Sequence, residues 1–110
     1  MPEIDKYTYR VTWSEKDKEF VGLCTEFPSL SWLDSDRNKA LSGISQLVVE
    51  VVADMEANGE EIPEPLSLIK FSGRFQVRIS PHSHRNLAMQ AAELGISMNR
   101  LASSKLEVDC

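Results

Sequence analysis

At 110 residues, with 42% hydrophobic and 26% charged side chains, the chain has room for one ordinary domain or two small ones, neither of which would bury a large core unaided. The formal net charge of −5 hides a division, because residues 1–70 carry 14 acidic and 7 basic side chains whereas residues 71–110 carry 3 acidic and 5 basic. No apolar run is long enough to span a bilayer. The opening Met1-Pro2-Glu3-Ile4-Asp5-Lys6 lacks the basic flank and apolar stretch of an export signal. Cys24 and Cys110 have no metal-ligand spacing, so a reducing cytoplasm is the expected setting.

Residues 7–13, Tyr-Thr-Tyr-Arg-Val-Thr-Trp, alternate large apolar with polar side chains and read as a half-buried strand. The polar run 14–18 is a turn, and Phe20 to Cys24 is the returning strand of a hairpin. Leu30-Ser31-Trp32-Leu33 is a third short strand, with Pro28 favouring an edge or a bend. From Asp34 the period changes. Ala40, Leu41, Ile44, Leu47, Val48, Val51, Val52 and Met55 recur at three- and four-residue spacing, the mark of one apolar stripe on a helix of about five turns. Asp34, Ser35 or Asp36 can cap its start, and Asn58-Gly59 supplies a left-handed stop. Such a helix packs across the three strands, with Trp13 and Trp32 in or beside the core; an exposed Trp32 would instead be a partner anchor.

Glu60-Glu61-Ile62-Pro63-Glu64-Pro65 follows, where two prolines forbid regular helix and favour extended backbone. This reads as a semi-rigid spacer that divides a first domain, residues 1–66, from a second, residues 67–110.

In the second domain, residues 72–81 alternate strictly. Phe75, Val77 and Ile79 fall on one side of an extended segment and Arg74, Gln76 and Arg78 on the other. Ser80 caps a helix with Pro81 at its first position and Leu87, Ala88, Ala91 and Leu94 as its apolar stripe, ending at Gly95. Ser97 caps another helix running to about Leu106. A lone strand leaves its backbone groups unpaired and its apolar side exposed. Pairing antiparallel with the same strand of a second subunit removes both problems and makes a two-stranded ribbon about a two-fold axis, a shape that fits the major groove of DNA. Arg74, Gln76 and Arg78 would then face base edges. Ser97, Met98 and Asn99, at a helix N-terminus, could hold a phosphate. Phe75, Val77, Ile79, Leu87 and Leu101 would form the dimer core.

These residues carry a resemblance. Residues 72–106 resemble a ribbon-helix-helix domain of the Arc/MetJ type, through alternating Arg74, Gln76 and Arg78, Ser80-Pro81, and Gly95-Ile96-Ser97-Met98-Asn99. Residues 5–66 resemble the HicB antitoxin domain, through the 7–13 strand, Phe20-Val21-Gly22-Leu23, Glu26-Phe27-Pro28, Ala40-Leu41 and Gly59-Glu60-Glu61-Ile62-Pro63-Glu64-Pro65. The resemblance implies an α+β protein. Its first part would be a small antiparallel three-stranded sheet with one long helix, a partial ribonuclease-H-like shape, and its second part a ribbon-helix-helix dimerisation domain. It implies an antitoxin of a type II toxin-antitoxin system, which masks a small basic HicA-like ribonuclease toxin and represses its own operon by binding operator DNA. An acidic first domain suits a basic partner.

The alternative is a stand-alone ribbon-helix-helix transcriptional regulator whose first domain binds another protein or a small molecule. Enzymatic chemistry finds little support. Cys24 with His82 or His84 has no third orienting residue and is better read as a small core side chain. His82 and His84 stand two apart on a helix, on different sides, which is poor metal-ligand geometry. The expectation is a cytoplasmic binding protein, not an enzyme, with no cofactor, no metal and no membrane association. It would be a homodimer, with association beyond the dimer left open.

Overall fold

A computed structural model describes residues 3–107. The element order is three strands, a long helix and two shorter helices: β1 (Tyr9–Ser14), β2 (Glu19–Cys24), β3 (Ser31–Asp34), α1 (Arg37–Ala57), α2 (Pro81–Leu94) and α3 (Met98–Leu106), with single 3-10 turns at Ile4–Lys6 and Leu66–Leu68. The fold is α+β, and the sheet is antiparallel in the order β1-β2-β3. The chain divides into two compact units, Met1–Phe71 and Ser72–Cys110.

In the first unit β2 is the central strand. Gly22 pairs with Val11 on one side and Trp32 on the other, so these three positions share the face that meets α1. That face needs glycine at its centre. A Cβ on Gly22 would stand 2.5 Å from the carbonyl oxygen of Ala40 and 2.8 Å from Cγ2 of Ile44, so the helix backbone lies directly on the strand. Tyr7, Cys24, Phe27, Ile44, Val48 and Val52 make the core cluster, with Leu47, Val51, Met55 and Ile62 packed against it. Tyr7 and Phe27 meet edge to face, with ring centroids 5.2 Å apart.

Asp36 is the N-cap of α1, its carboxylate accepting the Asn38 amide at 2.8 Å, and Gly59 provides the left-handed turn beyond the helix at φ +69°. The apolar stripe of this helix is narrower than its spacing predicts. Ala40, Ile44, Val48 and Val52 are buried, but Leu41 is 43% exposed, because the sheet it would need to reach has only three strands. Two strand expectations also shift. Tyr7 and Thr8 precede β1 rather than joining it, and Leu30 precedes β3 while still packing on the core.

The acidic segment after α1 is not a spacer. Tyr7 Oη donates to the Pro63 carbonyl at 2.6 Å, the Leu66 amide donates to Glu26 Oε2 at 2.9 Å, and Ser67 Oγ donates to the Lys6 carbonyl at 2.6 Å. Pro65 is buried. The prolines keep the strip extended, and groups from the start of the chain fasten it down, which is why the first unit runs on to Phe71. Among the described residues no helix is long and apolar enough to cross a membrane, and no group of three or more His, Cys, Asp or Glu side chains could hold a metal ion. Cys110 lies outside the described residues.

Candidate nucleic-acid interface

The second unit begins with a turn in which Ser72 Oγ accepts the Arg74 amide at 3.1 Å and Gly73 takes φ +84°, a conformation that favours glycine. Residues 74–80 then run without helix and without a strand partner among the described residues. Their apolar side chains are open to solvent: Phe75 is 73% exposed, Val77 62% and Ile79 45%. Arg74, Gln76 and Arg78 are exposed too. A short segment thus carries three exposed apolar residues interleaved with three long hydrogen-bonding ones, and from Phe75 to Ile79 its backbone groups make no hydrogen bond among the described residues.

Ser80 stops this segment and starts α2. Its hydroxyl accepts the Ser83 amide at 3.1 Å, and Pro81 occupies the first helical position. The end of α2 is equally well specified. Gly95 sits at φ +70°, its amide bonds the Ala92 carbonyl, and the Ile96 amide reaches back to the Ala91 carbonyl, the paired bonds of a Schellman motif. Ser97 caps α3 by accepting the Arg100 amide at 3.0 Å. The two helices are in contact, and each carries one buried residue, Ala91 on α2 at 3% exposed and Leu101 on α3 at 7%.

Several expected site residues come together here. Val77, Ile79 and Leu87 line an open groove with Met98, Ala102 and Leu106, and Arg78, His84, Asn99 and Lys105 also border it. Arg74, Gln76 and Phe75 border a neighbouring depression that reaches Asn99 and Ser103. Leu101, expected in a dimer core, is already buried in the single chain. Ala88 and Leu94, expected on the buried stripe of α2, are exposed, Leu94 to 64%; strand, helix and helix are too little chain to enclose a core. Ser97 commits its hydroxyl to the cap, which leaves the first amides of α3, at Met98 and Asn99, without intrahelical partners by the geometry of any helix start. His82 contacts the Asn86 side chain at 3.2 Å across one turn of α2.

Sequence reading missed the groove's far wall. Met98, Ala102 and Leu106 recur every four residues on α3, a spacing that would have revealed an apolar face. It also missed the role of Glu26 in the first unit. Burial works against its charged form, but amides of Leu66 and Thr8 and the Thr8 hydroxyl all donate to the carboxylate, and together they hold its pKa below the usual glutamate value.

The family model described as HicB family matches residues 56–106, from the last turn of α1 through α3. The match supports membership of that family and leaves β1, β2 and β3 outside the matched stretch. Comparison with curated proteins gives no match, and neither does comparison with solved structures.

Proposed function

We propose that this chain is a non-enzymatic antitoxin that does two binding jobs, one with each unit. The first unit sequesters a small basic ribonuclease toxin of the HicA type. The second unit dimerises as a ribbon-helix-helix and represses the chain's own operon by binding operator DNA. The observation that carries the reading is the exposed alternation of residues 74–79, set directly ahead of a capped helix inside the stretch matched by the HicB family.

In the dimer, residues 74–79 of two subunits pair antiparallel. Each backbone then finds the partner that the single chain lacks, and Phe75, Val77 and Ile79 turn onto the groove of α2 and α3. The other side of the ribbon presents Arg74, Gln76 and Arg78. Guanidinium forks read guanine edges, and the Gln76 amide is suited to adenine. The Met98 and Asn99 amides, with the positive end of α3 behind them, hold a backbone phosphate and fix the ribbon's register. The opposite charge balances of the two halves fit two different partners, a cationic protein and a polyanion.

The alternative is a regulator with the same DNA-binding unit and no toxin partner. The two separate cleanly on co-expression. With an affinity tag on this chain, the basic product of the adjacent reading frame should co-purify, and the purified protein should retard DNA from upstream of the operon in a gel. Retarded DNA without a co-purifying toxin would favour the stand-alone regulator, and loss of both would overturn the proposal.

A further inference from the structure

The first unit carries a large aromatic side chain outside its core cluster. Trp32 lies on β3, an edge strand of the sheet, and its indole rests directly on Gly43 of α1, where a Cβ would overlap the ring. The glycine lets a large side chain lie flat against the helix backbone, so the indole is held in one place. Yet Trp32 remains 42% exposed. A rigid, half-exposed tryptophan beside a strand with one unpaired edge is the kind of feature that dominates protein interfaces.

The surroundings state the partner's charge. Lys39, Gly43, Leu47, Glu50 and Asp54 follow one another at helical spacing, so the flank of α1 that holds Trp32 has one cation at its N-terminal end and continues on the other side into two carboxylates. No lysine or arginine lies between Lys39 and Lys70, a stretch holding six acidic side chains. Two of these, Asp54 and Glu56, lie near the C-terminal end of α1, where the helix dipole already disfavours negative charge. A cationic protein surface relieves that repulsion and steers its own approach.

We infer that the β3 edge and the adjoining flank of α1 form the docking surface for a cationic protein, with Trp32 as its anchor and Glu50 and Asp54 as its charged rim. The inference rests on the toxin reading above and names the surface that would carry it.

The test uses the full-length protein and the purified basic product of the adjacent reading frame, with affinity measured by titration calorimetry. Trp32→Ala should weaken binding about thirtyfold or more. The double variant Glu50→Gln with Asp54→Asn cannot disturb the core, and it should slow association several-fold at low salt, with the difference fading as salt rises. Thr12→Ala, on the other edge strand, should bind as the parent does. In a Trp13→Phe background the remaining Trp32 emission should shift to shorter wavelength on complex formation, a readout that requires no destabilising change at the surface. Tight binding that ignores Trp32→Ala and the charge variant, with unshifted emission, would overturn this surface and leave the toxin reading standing. A parent protein that does not bind the basic product would overturn both.

Discussion

Glu26 and Leu66 are 40 positions apart, and the carboxylate of the first accepts the backbone amide of the second at 2.9 Å. The same carboxylate takes the Thr8 amide at 2.9 Å and the Thr8 hydroxyl at 3.1 Å. One side chain therefore clasps the approach to β1 and the strip that follows α1. Glu26→Gln keeps the shape but removes the charge that makes these bonds strong. The loss should be about 1 kcal/mol, below the usual figure for charged hydrogen bonds because the group is partly exposed and screened, and urea unfolding will measure it.

The same residue predicts a pH dependence. Its folded pKa lies below the ordinary glutamate value, so the folded state binds its proton less readily than the unfolded chain does. The stabilisation is complete above the ordinary value and disappears as pH falls through the lowered folded one. In Glu26→Gln this contribution to the acid limb of a stability curve should vanish, leaving a shallower fall than in the parent. Parallel acid limbs would remove Glu26 as a contributor.

Gly22→Ala should be among the costlier single-methyl additions in the chain. The added Cβ meets a backbone carbonyl of α1 and the branch of Ile44, and the carbonyl has no rotamer by which to withdraw. A loss of about 1 to 3 kcal/mol is expected from overpacking, read as a lower urea midpoint at unchanged slope.

These positions show what the sequence could and could not reveal. The hairpin, the third strand and the helix are legible because the apolar period switches from two to about 3.6 at Asp34, and Asp36, Ser80, Ser97 and Gly95 punctuate the helices at their observed ends. Leu41 belongs to the stripe by spacing and to the surface in the fold, because period alone cannot report how wide a sheet the helix will meet. The Glu60 to Pro65 run has the composition of a linker, and what pins it and the turn after it comes from Tyr7, Glu26 and Lys6, far away in sequence. The alternation at residues 74–79 is plain in the sequence. In the single chain it finds no strand to pair with among the described residues, so its reading as a ribbon rests on the pairing with a second copy proposed above.

For that second copy, Val77→Asp is the direct probe. Two carboxylates would be placed near the two-fold axis of an apolar ribbon with no cation to pair them. Light scattering should show a monomer at concentrations where the parent is dimeric. A persistent dimer would exclude the ribbon as the dimer interface.

For DNA, the double change Arg74→Ala with Arg78→Ala should weaken operator binding by about 1 to 3 kcal/mol for each guanidinium–base pairing removed, while leaving the dimer intact. Gel retardation over a range of salt concentrations separates this from phosphate binding, since removing a base-reading fork lowers discrimination between operator and random DNA. Equal affinity for both sequences in parent and variant would refute base reading by this segment.

Cys24 is 2% exposed in the core under α1, and burial pushes its thiol up from its ordinary pKa. A thiol so placed cannot react with an alkylating reagent until the sheet parts from the helix, so its labelling rate becomes a clock for that event. With Cys110 changed to serine, mass spectrometry could time how often the first unit breathes open, alone and with a partner seated on it. A partner that binds only the folded first unit should slow that clock relative to the chain alone, and this single sulfur atom is placed to record the difference.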